Sequence, residues 1–274
     1  MDQAVPSLES LTGLWRRSLI AWPDGRRDVT TWVNWLQGLS QYADLRQPEN
    51  RPDFSEVKSL GDIRPAHFDW LAAQEGFAGE FIKQGDVFEW RREIDFQPKS
   101  PYSDRGKLWL DGNVMVEQGI DIPYIEHWHA VPLELTPLLG LRLKDEQDGT
   151  RATLLRVGTL FMFVRDRQIR LPADRHLSDC LRSAPTLRDA QAMLDLEISQ
   201  GVVTTRGWII QRSTLPYRET DNLGLRGDLT RNGRLGTWDR DPQGRMRERL
   251  WHVQSMEGSP SAFAMTGPLS ARSR

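Results

Sequence analysis

The segment IPYIEHWHAVP sets one carboxylate among aromatic and aliphatic side chains. In an extended strand, successive side chains face opposite ways. One face then carries Ile122, Tyr124, Glu126, Trp128 and Ala130. FEWRREIDF repeats the pattern with an arginine, placing Phe88, Trp90, Arg92, Ile94 and Phe96 together. Arg17 alternates with Trp15 and Leu19, and Arg212 with Trp208 and Ile210. An unpaired buried charge costs several kcal/mol. These charges must therefore pair, meet the charge of a ligand, or sit in a wet cavity. Glu126 and Arg92 are the expected internal pair, either as a structural ion pair or as the polar anchor of an apolar pocket. In a pocket, Glu126 is the candidate general acid or base, because an apolar wall raises a carboxyl pKa while Arg92 lowers it. Tyr124 and Arg92 would stabilise developing negative charge. Trp15, Trp90, Trp128 and Tyr124 would form walls, with Arg92 and Arg17 fixing a carboxylate or another planar anion, and Trp208 and Arg212 are further candidate ligand-binding residues.

Tyr42, Asp44 and Arg46 share a face of QYADLRQP. They read either as the solvated face of an edge strand or as a polar set at the mouth of a pocket. His127 and His129 stand two apart on a strand, a spacing that suits imidazole coordination. A metal needs a further ligand, for which Glu117 is the candidate. The two histidines, however, lie on the face opposite Tyr124 and Trp128. The chain has no nucleophile elbow, phosphate loop or dinucleotide fingerprint. Cys180 has no patterned histidine beside it and reads as a structural thiol. No cofactor is expected.

The eleven tryptophans stand out against nine phenylalanines and four tyrosines. A net charge of -2 gives no basic field for nucleic acid. No apolar run approaches the ~20 residues needed to span a bilayer. The first residues lack a signal-peptide pattern, and the single cysteine favours a reducing compartment. The expectation is a cytoplasmic protein whose partner is a small molecule, without nucleic acid or membrane, and with a homodimer allowed.

Positioning these residues requires strands. Runs of alternating residues flank PDGRRD, QGD, Asp111-Gly112, QDG and Pro242-Gln243-Gly244, each a turn signal. Two helices are expected. One lies within 62–76, capped by Asp62 and stopped by Gly76. The other lies within 186–200, with Leu187, Ala190, Leu194 and Ile198 on one face. Ten or more short strands with two helices predict a mainly β chain forming an antiparallel barrel. A single barrel over residues 1–256 is the first expectation and two smaller barrels the second, with a flexible tail over 257–274. WPDGRRD and EQDGTRA are alike, but the match is too short to establish a duplication.

SLESLTGLWRRS resembles the opening of a lipocalin, or more broadly a calycin, in which a short turn precedes a Gly-x-Trp at the first strand, here Gly13-Leu14-Trp15. The resemblance implies a calycin-like barrel with Trp15 closing one end. It also implies a late-strand arginine across that ring, Arg212 or Arg206. The chain departs from the family in its length and in the helix after its third strand. Its WLQ, YADLR and STLPYRE segments also resemble uncharacterised bacterial proteins. The functional expectation is cofactor-independent acid–base chemistry (isomerisation, cyclisation, hydration or hydrolysis) on an apolar or aromatic metabolite with an anionic group. The alternatives are a non-catalytic ligand-binding calycin and an interaction protein with a packed barrel.

Overall fold

The computed structural model describes residues 4–173, 175–229 and 233–263. The first half comprises β1 (Gly13–Ala21), β2 (Arg27–Asp28), β3 (Trp32–Gln37), β4 (Gln41–Gln47), the helix α1 (Phe68–Ala72), β5 (Glu75–Gln84), β6 (Val87–Asp95), β7 (Arg105–Asp111), β8 (Val114–Gly119) and β9 (Ile125–Val131). Each strand pairs antiparallel with the next in the sheet, and β9 returns to β1, with Leu14 opposite Val131 and Trp15 opposite Ala130. The result is an eight-stranded antiparallel closed barrel of β1 and β3–β9, with β2 as a short ribbon on β1. Closure leaves no exposed edge to recruit other strands.

The second half comprises β10 (Leu138–Asp145), β11 (Arg151–Val157), β12 (Leu160–Arg165), the helices α2 (Leu177–Arg182) and α3 (Leu187–Leu194), β13 (Glu197–Thr204), β14 (Gly207–Ser213), β15 (Arg226–Asp228), β16 (Arg234–Arg240) and β17 (Met246–Gly258). These strands form a second eight-stranded sheet in which β17 returns to β10. Residues 220–223 bridge the remaining gap. Leu223 N donates to Trp208 O at 2.8 Å, and Trp238 N donates to Leu223 O at 2.9 Å.

The two halves run through the same order of parts. Each has three hairpin-linked strands, a helical excursion, a tight hairpin and three further strands, the last pairing with the first. The registers agree residue by residue. Trp35 faces Asp44 as Leu154 faces Phe163, and Arg46 faces Glu75 as Arg165 faces Glu197. A bulge falls at the same place in both hairpins, leaving Glu93 unpaired in β6 and Gln211 unpaired in β14. Glycines permit it: a β-carbon on Gly79 would collide with the Arg91 carbonyl oxygen, and one on Gly201 with that of Ile209. The halves thus form a topological repeat that the two short Asp-Gly segments could not establish.

Three buried apolar clusters hold the molecule together. One fills the first barrel around Trp35, and another fills the second sheet around Phe161, Trp208 and Trp251. The third joins the outer faces of both sheets to the helices, through residues such as Leu36, Ile94, Phe96, Leu155, Leu181 and Leu194. Polar contacts stitch the same boundary. Asn34 Nδ2 donates to Gln200 Oε1 at 3.0 Å, and Gln47 Nε2 donates to Ser213 O at 3.1 Å.

Three elements depart from expectation. The helix expected within 186–200 is capped by Thr186, whose side chain accepts from Asp189 N, but ends at Leu194. Residues 197–200 join β13, where every one of them is buried within the sheet. The helix expected within 62–76 is reduced to α1 and two 3-10 turns, and Gly76 lies inside β5. Helices this short are marginal alone, so packing decides their extent. Residues 257–263, expected in the flexible tail, are instead ordered. Glu257 and Gly258 finish β17 and pair with β10, while residues 264–274 lie outside the described residues.

Candidate functional site

One end of the first barrel gathers most of the charges singled out in the sequence. Arg17 and Glu126 come from strands paired with each other, and both are buried. Arg17 Nη1 lies 2.7 Å from Glu126 Oε1, and Arg17 Nη2 lies 3.3 Å from Asp28. Arg46 Nε lies 2.8 Å from Asp44 Oδ1. Tyr42, Asp44 and Arg46 face the interior, because β4 is a central strand and not an edge. Burial pushes the Asp44 carboxyl up to about 6, against the pull of Arg46. Glu117 lies directly across from Glu126. Its carboxylate accepts from Tyr124 Oη at 2.6 Å and from Trp128 Nε1 at 3.0 Å. Burial, reinforced by the Glu126 and Asp104 charges, pushes Glu117 well above the usual carboxyl range.

Arg92 does not meet Glu126. It stacks 3.6 Å over the Phe77 ring and pairs with Asp104 at 2.6 Å and Asp95 at 3.0 Å. The bulge also breaks up the face expected around it. Trp90 points inward, but the unpaired Glu93 reverses the alternation, so Ile94 and Phe96 turn outward onto the helices. The expected face of Phe88, Trp90, Arg92, Ile94 and Phe96 is therefore split between two surfaces.

The expected pocket walls form a packed core. Trp35 touches Trp15, Trp90 and Trp128 at centroid distances of 6.2, 5.5 and 5.6 Å. Trp208 stands apart from them, inside the second sheet against Phe161 at 5.1 Å. The proposed metal set does not assemble. Glu117 faces inward beside Glu126, and pleating turns His127 and His129 to the outer face, where His129 Nε2 lies 2.9 Å from Ser18 Oγ. Among the described residues no cluster of His, Cys, Asp and Glu could hold a metal ion. Nor does a late arginine lie across Trp15, whose Nε1 donates to Leu11 O at 2.7 Å.

Arg212 lies elsewhere, for the same reason as Ile94. The bulge at Gln211 turns it out of the second sheet and into the cleft between the halves. Its guanidinium stacks 4.3 Å over Trp32 and donates to Gln47 Oε1 at 3.0 Å. Two cavities meet here, both lined by Trp32, Gln211 and Arg212. The larger, of about 530 Å³, adds Leu14, Val131, Leu133 and Leu160 as an apolar wall and Arg16, Asn34 and Gln200 as polar groups. The smaller, of about 390 Å³, is lined by Trp70, Arg51 and Pro48. Burial lowers the Arg212 pKa from its ordinary value, and the like charges of Arg51 and Arg16 act the same way, against Glu219. Arg51 is neutralised by Glu219 at 2.8 Å. Arg16 is held only by Asn34 Oδ1 at 3.4 Å, and neither Arg16 nor Arg212 has a carboxylate within salt-bridge distance among the described residues.

The sequence reading missed this cleft. Its one signal was the mixed face of β1 opposite Trp15, where Leu14 and Arg16 stand together. The sequence marks Glu117 only as a possible metal ligand, because its strand partner cannot be read without the register.

Among the described residues no helix is long and apolar enough to cross a membrane. No family model and no curated protein matches the chain. Among solved structures, the uncharacterized protein YLR301w from Saccharomyces cerevisiae is similar over 89% of this chain and 98% of its own, at 10% sequence identity and a TM-score of 0.49.

Proposed function

We propose that this protein binds a small apolar or aromatic molecule carrying an anionic group, on a calycin-like scaffold in a cytoplasmic setting, and that the ligand lies in the cleft between the two halves. One observation carries the reading. Arg212 and Arg16 line a cavity of about 530 Å³, and among the described residues neither has a carboxylate within salt-bridge distance. Arg212 is half-buried, and a guanidinium kept partly from water without a counter-charge is costly, a cost that a bound carboxylate or phosphate removes; Arg16 is exposed and adds a second positive charge. The volume falls in the range of small-molecule sites, and the apolar wall beside two arginines and three amides suits an amphiphilic acid. The barrel axis, by contrast, is filled by indole and phenyl rings.

Binding is favoured over turnover because the carboxyl expected to act as acid or base, Glu126, is held by Arg17 inside the barrel. Calorimetric titration with a panel of aryl and alkyl carboxylates and phosphates tests the reading. Saturable binding that is lost in Arg212→Ala supports it. Saturable binding that is unchanged in Arg212→Ala and Arg16→Ala, or no binding across the panel by folded protein, overturns it.

A further inference from the structure

The mouth of the first barrel is short of cations. Arg17 is shared by Asp28 and Glu126, Arg46 by Asp44, Glu75 and Glu126, and Arg92 by Asp95 and Asp104. Glu117, beside Glu126, has hydrogen bonds from Tyr124 and Trp128 but no salt bridge among the described residues. Each arginine thus answers to two or three carboxylates, and one further carboxyl group, that of Glu117, has none.

The second half shows the same mouth filled. Arg165 faces Glu197 in register, as Arg46 faces Glu75. There the loop after β14 inserts an additional guanidinium, that of Arg218, which is 0% exposed. Arg218 Nε lies 3.1 Å from Glu197 Oε1, its Nη1 lies 3.1 Å from Asp221 Oδ2, and its Nη2 donates to Trp238 O at 2.9 Å. Glu197 is wholly buried beneath it. The corresponding loop after β6 inserts Asp104, paired with Arg92, but no cation. Its one basic residue, Lys99, is exposed, and the side chain of Glu75 is 55% exposed. Arg92 reaches this mouth from β6 but is already engaged by Asp95 and Asp104.

A second observation points to the same place. Tyr42 shares the inward face of β4 with Asp44 and Arg46 and is wholly buried, and its hydroxyl has no hydrogen-bond partner among the described residues. Orphaned buried hydroxyls are rare because each costs about 1–3 kcal/mol.

We propose that the mouth of the first barrel binds a guanidinium or ammonium group presented from outside, in the place that Arg218 takes in the second half. Glu75 receives it at the rim, and Glu117 and the Tyr42 hydroxyl are acceptors further in. The site is separate from the cleft and does not depend on it.

The test uses the indole resonances of the whole protein in nitrogen-15 spectra, because Trp128 Nε1–H donates to Glu117 and reports on the mouth. The probes are agmatine, a capped arginine peptide and the matching uncharged citrulline peptide. The expected result is a saturable shift of the Trp128 indole signal with agmatine, the arginine peptide or both, and a response to citrulline at least about tenfold weaker. Agmatine alone identifies a free small cation as the source, and the arginine peptide alone identifies a protein side chain. Glu75→Gln, at an exposed position that tolerates change, weakens the response several-fold, and Glu117→Gln weakens it further if that variant folds. No saturable shift at millimolar probe, an equal response to citrulline, or an unaltered response in Glu75→Gln overturns the proposal.

Discussion

Arg17 and Glu126 meet inside the barrel at 2.7 Å, with side chains only 6% and 3% exposed. They come from β1 and β9, the two strands whose pairing closes the barrel. Removing one member of a buried pair leaves the other charge unpaired and typically costs about 3–5 kcal/mol. Arg17→Ala leaves Glu126 with only Arg46 at 3.8 Å and removes the cation from Asp28, and is expected to lose about that much in urea unfolding. Replacing Arg17 and Glu126 together by Met and Leu recovers most of it. A double variant as unstable as the single one would show that the pair is not what matters at this position.

Trp35 is the hub of the interior, 1% exposed and in edge contact with Phe81, Trp90 and Trp128. Trp35→Ala opens a cavity that its rigid aromatic neighbours cannot collapse into, with an expected loss of about 3–5 kcal/mol. Calorimetry should show a correspondingly lower melting temperature. A fall of only a degree or two would mean that the barrel is more compliant than its packing indicates.

Asp44 gives stability an unusual pH dependence. Its carboxyl titrates at about 6 when folded, above its ordinary value of 3.8, so between these limits the folded chain holds more proton than the unfolded one. Stability at this site is therefore present below about pH 4 and falls as pH rises through 6, by roughly 2–3 kcal/mol. Glu117, raised by burial, acts with the same sign. Asp28 works oppositely at lower pH. Its carboxyl is held down to about 2 by hydrogen bonds from Thr30 and Thr31 and by Arg17, against its partial burial, so its contribution is lost as pH falls below 4. Urea midpoints compared between wild type and Asp44→Asn should show a shallower decline from pH 4.5 to 6.5 in the variant. Parallel curves would remove Asp44 as the source.

Glu257 joins the halves. Its carboxylate accepts from Ser40 N at 3.0 Å, Ser40 Oγ at 2.7 Å and Gln41 N at 3.0 Å. Glu257→Ala orphans these donors and should cost about 1–3 kcal/mol. Faster hydrogen exchange at the Ser40 and Gln41 amides would localise the loss, and unchanged exchange there would count against the latch.

In the cleft, Arg212→Ala removes a charge-assisted contact worth about 1.5–3 kcal/mol and should weaken an anionic ligand roughly 10- to 100-fold. An uncharged analogue should bind wild type and variant alike. The same loss for charged and neutral ligands would point to the Trp32 stack and not to the guanidinium charge.

Local chemistry was legible in the sequence. Asp111-Gly112, QGD and QDG marked hairpins that the structure contains, and alternation placed Trp15, Trp90, Glu126 and Trp128 on inward faces. Turn preference and pleating are properties of neighbouring residues, so neighbouring residues reveal them. The pairing of Arg17 with Glu126, the exit of Arg212 to the cleft and the repeat of one strand order in both halves were decided by tertiary structure alone. The first depends on the register of β1 against β9, and the second on the bulge opposite Gly201, where one extra residue reverses every side chain beyond it. Each bulge brings a paired strand's carbonyl oxygen against the glycine, a contact across the hairpin that alternation along one strand does not record.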